Sequence, residues 1–199
     1  MYMSLPHLVA LTHFYKIGPV SYQRLVAHFG DIVTAWNAPL EDIALNVPEN
    51  TAREFVAWRS TIDTNALYDD AMMRGLTLVA FDDAAYPSLL KTIHDPPYLL
   101  YVRGTLPPAD AVCVGVVGSR KATEYGLRAA HDLSFNLAKN VVVISGLAWG
   151  IDEAAHKGAL DANGITVAVL ASGLSGNDSA HKRELANTII AKGGAIISE

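Results

Sequence analysis

Residues 113–159 read CVGVVGSRKATEYGLRAAHDLSFNLAKNVVVISGLAWGIDEAAHKGA, and this stretch decides the fold. An apolar run from Ala111 to Val117 stops at Gly118-Ser119-Arg120, and a helical pattern follows in which Leu127, Ala130, Leu133 and Leu137 recur at helical spacing. A second apolar run, Val141-Val142-Val143-Ile144, stops at Ser145-Gly146, and a second helical pattern starts near Ile151-Asp152. Strand, tight turn and helix, repeated, are the sequence form of a parallel, doubly wound sheet whose strands are buried on both faces. The loops after parallel strands emerge on one edge, where open α/β sheets bind ligands. Each loop there delivers a helix N-terminus with free N–H groups and partial positive charge. Gly118 and Gly146 let the main chain come close to a ligand, Ser119 and Ser145 add hydroxyls, and Arg120 adds a planar fork suited to phosphate. The stretch predicts a phosphate-binding edge.

Working outward, strands are expected at Leu76–Phe81, Tyr98–Val102, Thr166–Ala171 and Ala195–Ser198, with a helix from Ser179 to about Lys192. A short helix is expected from Tyr86 to Ile93, then a rigid turn at Asp95-Pro96-Pro97 and a linker at Pro107-Pro108. The sheet then stops short of the usual number of strands at Glu199, so the sequence reads as a Rossmann-like parallel sheet cut off at its C-terminal side. Upstream, Leu5, Leu8, Val9, Leu11 and Phe14 form a helical stripe broken at Ile17-Gly18-Pro19-Val20. A second helix near Ser21 to Phe29 ends at Gly30, a short third opens at Asp31 or Thr34, and a longer one is expected from Glu49 to about Met73. The expected organisation is a small helical domain over residues 1–70 and an incomplete Rossmann-like domain over residues 71–199.

The chain has 199 residues, 51% of them apolar, enough for one ordinary core and a small second one. Its one cysteine, Cys113, falls in an expected strand, so no intrachain disulfide is possible. That fits a reducing cytoplasm. The N-terminus lacks the basic start and long apolar core of a secretory signal, and the apolar runs are too short to span a membrane. A net charge of −5 argues against non-specific coating of nucleic acid. Residues 118–160 hold 5 basic and 4 acidic groups, the one segment with a positive balance. Any contact with a polyanion is therefore local.

Gly118-Ser119-Arg120 after a strand, Ser145-Gly146-Leu147-Ala148-Trp149-Gly150-Ile151-Asp152, and Ala155-His156-Lys157-Gly158-Ala159 together resemble the DNA-processing protein A (DprA/Smf) family. The likeness continues through Val167 to Gly173 and from Gly194 to Glu199, and upstream through Tyr86-Pro87-Ser88-Leu89-Leu90 and Asp95 to Gly104. It covers residue 84 to the end, and more loosely the N-terminus, where the helix–Ile-Gly-Pro–helix turn resembles helix-hairpin-helix and SAM-like modules. The resemblance implies a non-enzymatic protein of natural transformation and recombination that binds and protects single-stranded DNA and loads RecA. It implies a homodimer when full length, and further chain beyond Glu199, including a winged-helix domain in many members. The nucleic-acid contacts expected are Gly118, Ser119, Arg120, Lys121, Ser145, Gly146, Ala148, Trp149, Gly150 and Lys157. One departure stands out: where the family carries a Tyr-Pro pair soon after the third core strand, this chain has Ser179-Ala180-His181.

Several residues keep two readings. Lys121 is a phosphate contact or a solvated charge, Trp149 a base-stacking ring or a wedge between helices. Gly18 seats a phosphate or simply turns one helix into the next. Asp152 and His156 lie one helical turn apart, as a general acid/base pair would; equally, Asp152 caps or charges the helix start and His156 packs beneath the loop to hold it. The second reading is preferred, as structural support of the site. Seven histidines and one cysteine show no metal-ligand spacing, so no metal is expected. The glycines lack dinucleotide-fingerprint spacing and Ser145 stands where an acidic residue would, so no cofactor is expected either. The alternative from another class is a nucleotide-processing enzyme of the phosphoribohydrolase (lysine-decarboxylase-like) type, whose Pro-Gly-Gly-x-Gly-Thr-x-x-Glu loop is absent here.

Overall fold

A computed structural model describes residues 4–174 and 179–199. Among the described residues six helices come first: α1 (Leu5–Thr12), α2 (Pro19–Phe29), α3 (Ile32–Asn37), α4 (Leu40–Ile43), α5 (Glu49–Arg59) and α6 (Thr64–Met73). Strand β1 (Thr77–Ala80), a 3₁₀ turn (Leu90–Thr92) and strand β2 (Leu99–Gly104) lead into β3 (Cys113–Gly115), α7 (Glu124–Leu137), β4 (Val142–Ser145), α8 (Ile151–Asp161), β5 (Thr166–Val169), α9 (Ala180–Ala191) and β6 (Ala195–Ser198).

The single helix expected over residues 49–73 is two. Asp63 breaks it, its carboxylate accepting the N–H groups of Asn65 and Ala66 and so capping a fresh helix. The helix expected at Tyr86–Ile93 shrinks to the 3₁₀ turn. Pro87 supplies no N–H there, and the Ser88 N–H is drawn away to the Ala109 carbonyl, 2.8 Å off.

Internal contacts divide the chain into two compact units, one of residues 1–83 and 90–100, the other of residues 84–89 and 101–199. In the first, α1 packs on α6, α3 and β1. Its core gathers the rings of Phe14, Trp36, Phe55 and Trp58, with edge-on contacts such as Trp36 to Phe55 at 5.3 Å. Arg59 donates to the carbonyls of Trp36 and Ala38, closing the open C-terminal end of α3.

The sheet has the order β1-β2-β6-β5-β4-β3. Strands β3, β4, β5 and β6 are parallel, and β2 is antiparallel to β6. The reversal follows from chain length. A β2 parallel to the others would end on the far edge, and the chain would have to run back along the sheet before β3 could begin, but residues 105–112, with two prolines, are all that join β2 to β3. Gly104 pairs with Ala195 at the start of β6, so β2 ends on the edge where β3 begins, and a short segment suffices. From β3 to β6 each step goes the same way, so the described residues form a single winding and not the doubly wound arrangement expected.

Helix α7 buries Ala130 and Ser134, followed by Ala138, while Leu133 is 54% exposed and Leu127 36%. The stripe expected at Leu127, Ala130, Leu133 and Leu137 is thus turned. The cause is close packing of α7 on α8, where a Cβ added to Gly158 would lie 2.2 Å from the His131 carbonyl oxygen. At that spacing small residues make the contact. Val116, Ala138, Val143, Ala155 and Ala159 form one core cluster, and Leu147, Ala168, Leu170, Leu185, Ile189 and Ile196 form another under α9.

Candidate nucleic-acid interface

Because β3 and β4 are parallel neighbours, the loops after them leave the same edge, and three hydrogen bonds sew them together. The Ser145 hydroxyl donates to the Val116 carbonyl at 2.6 Å, the Ile151 N–H to the Ser119 carbonyl at 3.2 Å, and the Gly118 N–H to Asp152 Oδ1 at 3.4 Å. Three glycines make the approach possible. A Cβ on Gly118 would meet Ile151, one on Gly146 would lie 2.8 Å from Asp152 Oδ2, and one on Gly150 would lie 2.3 Å from the Ser119 carbonyl oxygen. Gly150 also sits at φ +85°, a region that strains side-chain-bearing residues.

Asp152 does not cap its own helix. Gly150 holds the N-cap position, and the Asp152 carboxylate reaches back to the Gly118 amide. His156 lies wholly buried one turn on, its Nδ1 2.8 Å from Thr166 Oγ1. Thr166 gives its own hydroxyl proton to the Val143 carbonyl at 2.7 Å, so its oxygen must accept and Nδ1 must carry the hydrogen. Among the described residues Nε2 then holds a lone pair that meets no donor. Burial pushes the His156 pKa down to about 4, against the opposing pull of the nearby Asp152 charge. Neutral at ordinary pH and sealed from solvent, it joins α8 to β4 and β5.

The candidate contacts therefore fall into two groups. Ser145 is buried with its hydroxyl spent on Val116, and the Gly118 amide is spent on Asp152. Ser119, Arg120, Lys121 and Trp149 are exposed. Arg120, Lys121, Trp149, Gly150 and Lys157 line one cleft of ≈ 560 Å³, floored by Ala122, Ala154 and Leu127. Among the described residues neither Arg120 nor Lys121 makes an ion pair. Lys157 is held to Glu153 at 2.6 Å.

The same cleft contains residues the sequence reading passed over. Arg128 stands on its α7 wall, 3.7 Å from Glu124 in a pair too exposed to bind it tightly. His131 is hydrogen-bonded to Asp161 at 2.8 Å and to Asp132 at 3.2 Å, and these two bonds raise its pKa. Glu153 receives both Lys157 and, at 2.8 Å, His181. Its burial pushes the carboxyl pKa up, but the hydrogen bonds and charges of Lys157 and His181 together outweigh this and lower it. The i, i+4 spacing of Glu153 and Lys157 signalled one of these bonds; His181, on α9, carried no local signal. Among the described residues no group of three or more His, Cys, Asp and Glu side chains is placed to hold a metal ion. No helix among them is long and apolar enough to cross a membrane.

The family model of DNA recombination-mediator protein A matches residues 77–199. The chain belongs to that family. Among DNA recombination-mediator protein A relatives, Protein Smf of Synechocystis is 34% identical over 192 residues, covering 92% of this chain and 48% of the relative. The DNA processing protein DprA of Streptococcus pneumoniae is 41% identical over 92 residues, covering 46% of this chain and 33% of the relative. The X-ray structure of the Streptococcus pneumoniae protein superposes with a TM-score of 0.76 at 27% identity, covering 96% of this chain and 66% of that one. A Helicobacter pylori DNA processing protein A, described for its single-stranded DNA binding mode, gives 0.51 at 27% identity, over 61% of this chain and 55% of that one. The chain thus spans about half the length of its Synechocystis relative within the DNA recombination-mediator protein A family.

Proposed function

We propose that this chain binds single-stranded DNA without catalysis, on the edge formed by the loops after β3 and β4. The full protein would act in the cytoplasm in natural transformation and recombination, protecting incoming strands, loading RecA onto them and working as a homodimer. The observation that carries the reading is a pair of cations, Arg120 and Lys121, without an ion-pair partner among the described residues, beside a half-exposed Trp149 in one cleft. Cations neutralise phosphates and an aromatic face accepts any base, the combination that sequence-tolerant single-strand binding uses. Asp152 and His156 support the site, since each is committed to holding backbone or sheet. The acid/base pair of a phosphoribohydrolase would need both turned toward solvent.

The test is fluorescence anisotropy of a labelled single strand against salt. Arg120→Ala is expected to weaken binding and to reduce the log–log salt slope by ~0.7, the share of one phosphate contact. An unchanged slope would place Arg120 off the DNA path. Release of free base from nucleoside monophosphates, lost in both Asp152→Asn and His156→Ala, would instead favour the enzymatic reading.

A further inference from the structure

We propose that Trp149, His181 and Glu153 form a braced stacking platform that receives one unpaired base in the cleft between α7 and α8. The proposal rests on the single-stranded DNA reading and adds to it two positioning residues and the chemical part of the strand that is recognised.

The rings of Trp149 and His181 lie 4.7 Å apart and 6° from parallel. That is a face-to-face stack and not an edge contact. Trp149 lines the cleft and His181 does not, so the histidine backs the indole on the side away from the cleft. The indole remains 50% exposed, which leaves its other side open.

The histidine is itself fixed. Its Nε2 is 2.8 Å from Glu153 Oε1, and that oxygen also receives Lys157 Nζ at 2.6 Å. The Glu153 side chain is only 15% exposed, so both bonds are made in a sheltered place. The main chain under Trp149 is fixed too: the Glu153 N–H donates to the Ala148 carbonyl at 3.1 Å, and Gly150 turns at φ +85° under the Ser119 carbonyl. A half-exposed indole backed by a fixed ring, on a main chain held by its own hydrogen bonds, presents one flat side to the cleft. It is well explained as a surface prepared for a flat partner. Arg120, Lys121 and Arg128 around the same cleft supply charge for the phosphates on either side of that base.

The experiment compares two labelled oligomers of equal length and phosphate number, one oligothymidylate and one abasic. Anisotropy is measured with the full chain and with Trp149→Ala, Trp149→Phe, His181→Ala and His181→Phe. The wild-type protein is expected to bind the thymidylate more tightly, and Trp149→Ala to lose between about fivefold and a hundredfold on that oligomer while its affinity for the abasic one is unchanged. Trp149→Phe keeps most of the preference. His181→Ala loses part of it and His181→Phe, which keeps a ring but not the bond to Glu153, restores part. Equal binding of the two oligomers by the wild type, or equal losses on both in Trp149→Ala, overturns the platform and leaves the DNA reading standing. Binding of neither oligomer overturns both.

Discussion

At the scale of single residues, the buried polar groups near the site are occupied with structure. His156 is the sharpest case, because its protonation state is tied to folding. Its pKa lies near 4 in the native protein and near 6.5 in an unfolded chain, so the native state binds fewer protons between those values. The contribution of the neutral ring is complete above about pH 6.5 and is lost as pH falls toward 4, amounting to about 3 kcal/mol over that span. Thermal melts from pH 7.5 to 4.5 are expected to show a steeper acid loss in the wild type than in His156→Gln, whose amide still donates to Thr166 without titrating. Parallel curves would mean that water or an open conformer lets the ring protonate in place. The brace is the preferred reading of His156 in the sequence, but the Thr166 it bonds lies on β5 and no local spacing announces it. Asp152, expected to cap or charge its own helix start, instead accepts from the Gly118 amide, thirty-four residues back in the chain.

At the scale of elements, the pairing of α7 with α8 depends on the absence of side-chain bulk. Gly158 faces the His131 carbonyl, and Ala130, Ser134, Ala155 and Ala159 are buried beside it. Gly158→Val is expected to force the helices apart and cost at least ~1–3 kcal/mol, lowering Tm by ~5 °C or more. Leu133→Ala, on the exposed face of the same helix, should change stability by less than ~0.5 kcal/mol. Guanidinium melts of the two variants check the contrast, and the reverse ranking would mean that α7 sits in another rotation. This is also where the sequence misled. Reading α7 by its leucines assumes that the largest apolar residues face inward, and a helix pair packed backbone to backbone inverts that rule. The strands after Thr166 and Ala195 were legible to within two residues because they are short, apolar and flanked by glycine. The break at Asp63 was missed because a capping aspartate inside a helical pattern looks like one more polar position.

At the scale of the whole molecule, the parallel core was readable because every strand-to-helix turn in it carries its own glycine. The course of β2 was not, because direction in a sheet is set by what the connecting chain can span and not by the strand's composition. The exposed cations of the cleft were legible as candidates; their gathering with Arg128 and His131 needed the packing of α7 on α8. The stitching of the loops after β3 and β4 has one more consequence, and it concerns time. Segments about thirty residues apart are joined by the Ser145, Ile151 and Asp152 bonds before any strand arrives, so their ordering entropy belongs to folding and not to association. Under the proposed function, capture should then be a collision-limited event. In stopped-flow mixing the observed rate is expected to rise linearly with DNA concentration and to show no plateau. A plateau would reveal a slow rearrangement and hence an edge that must open before it can hold a strand.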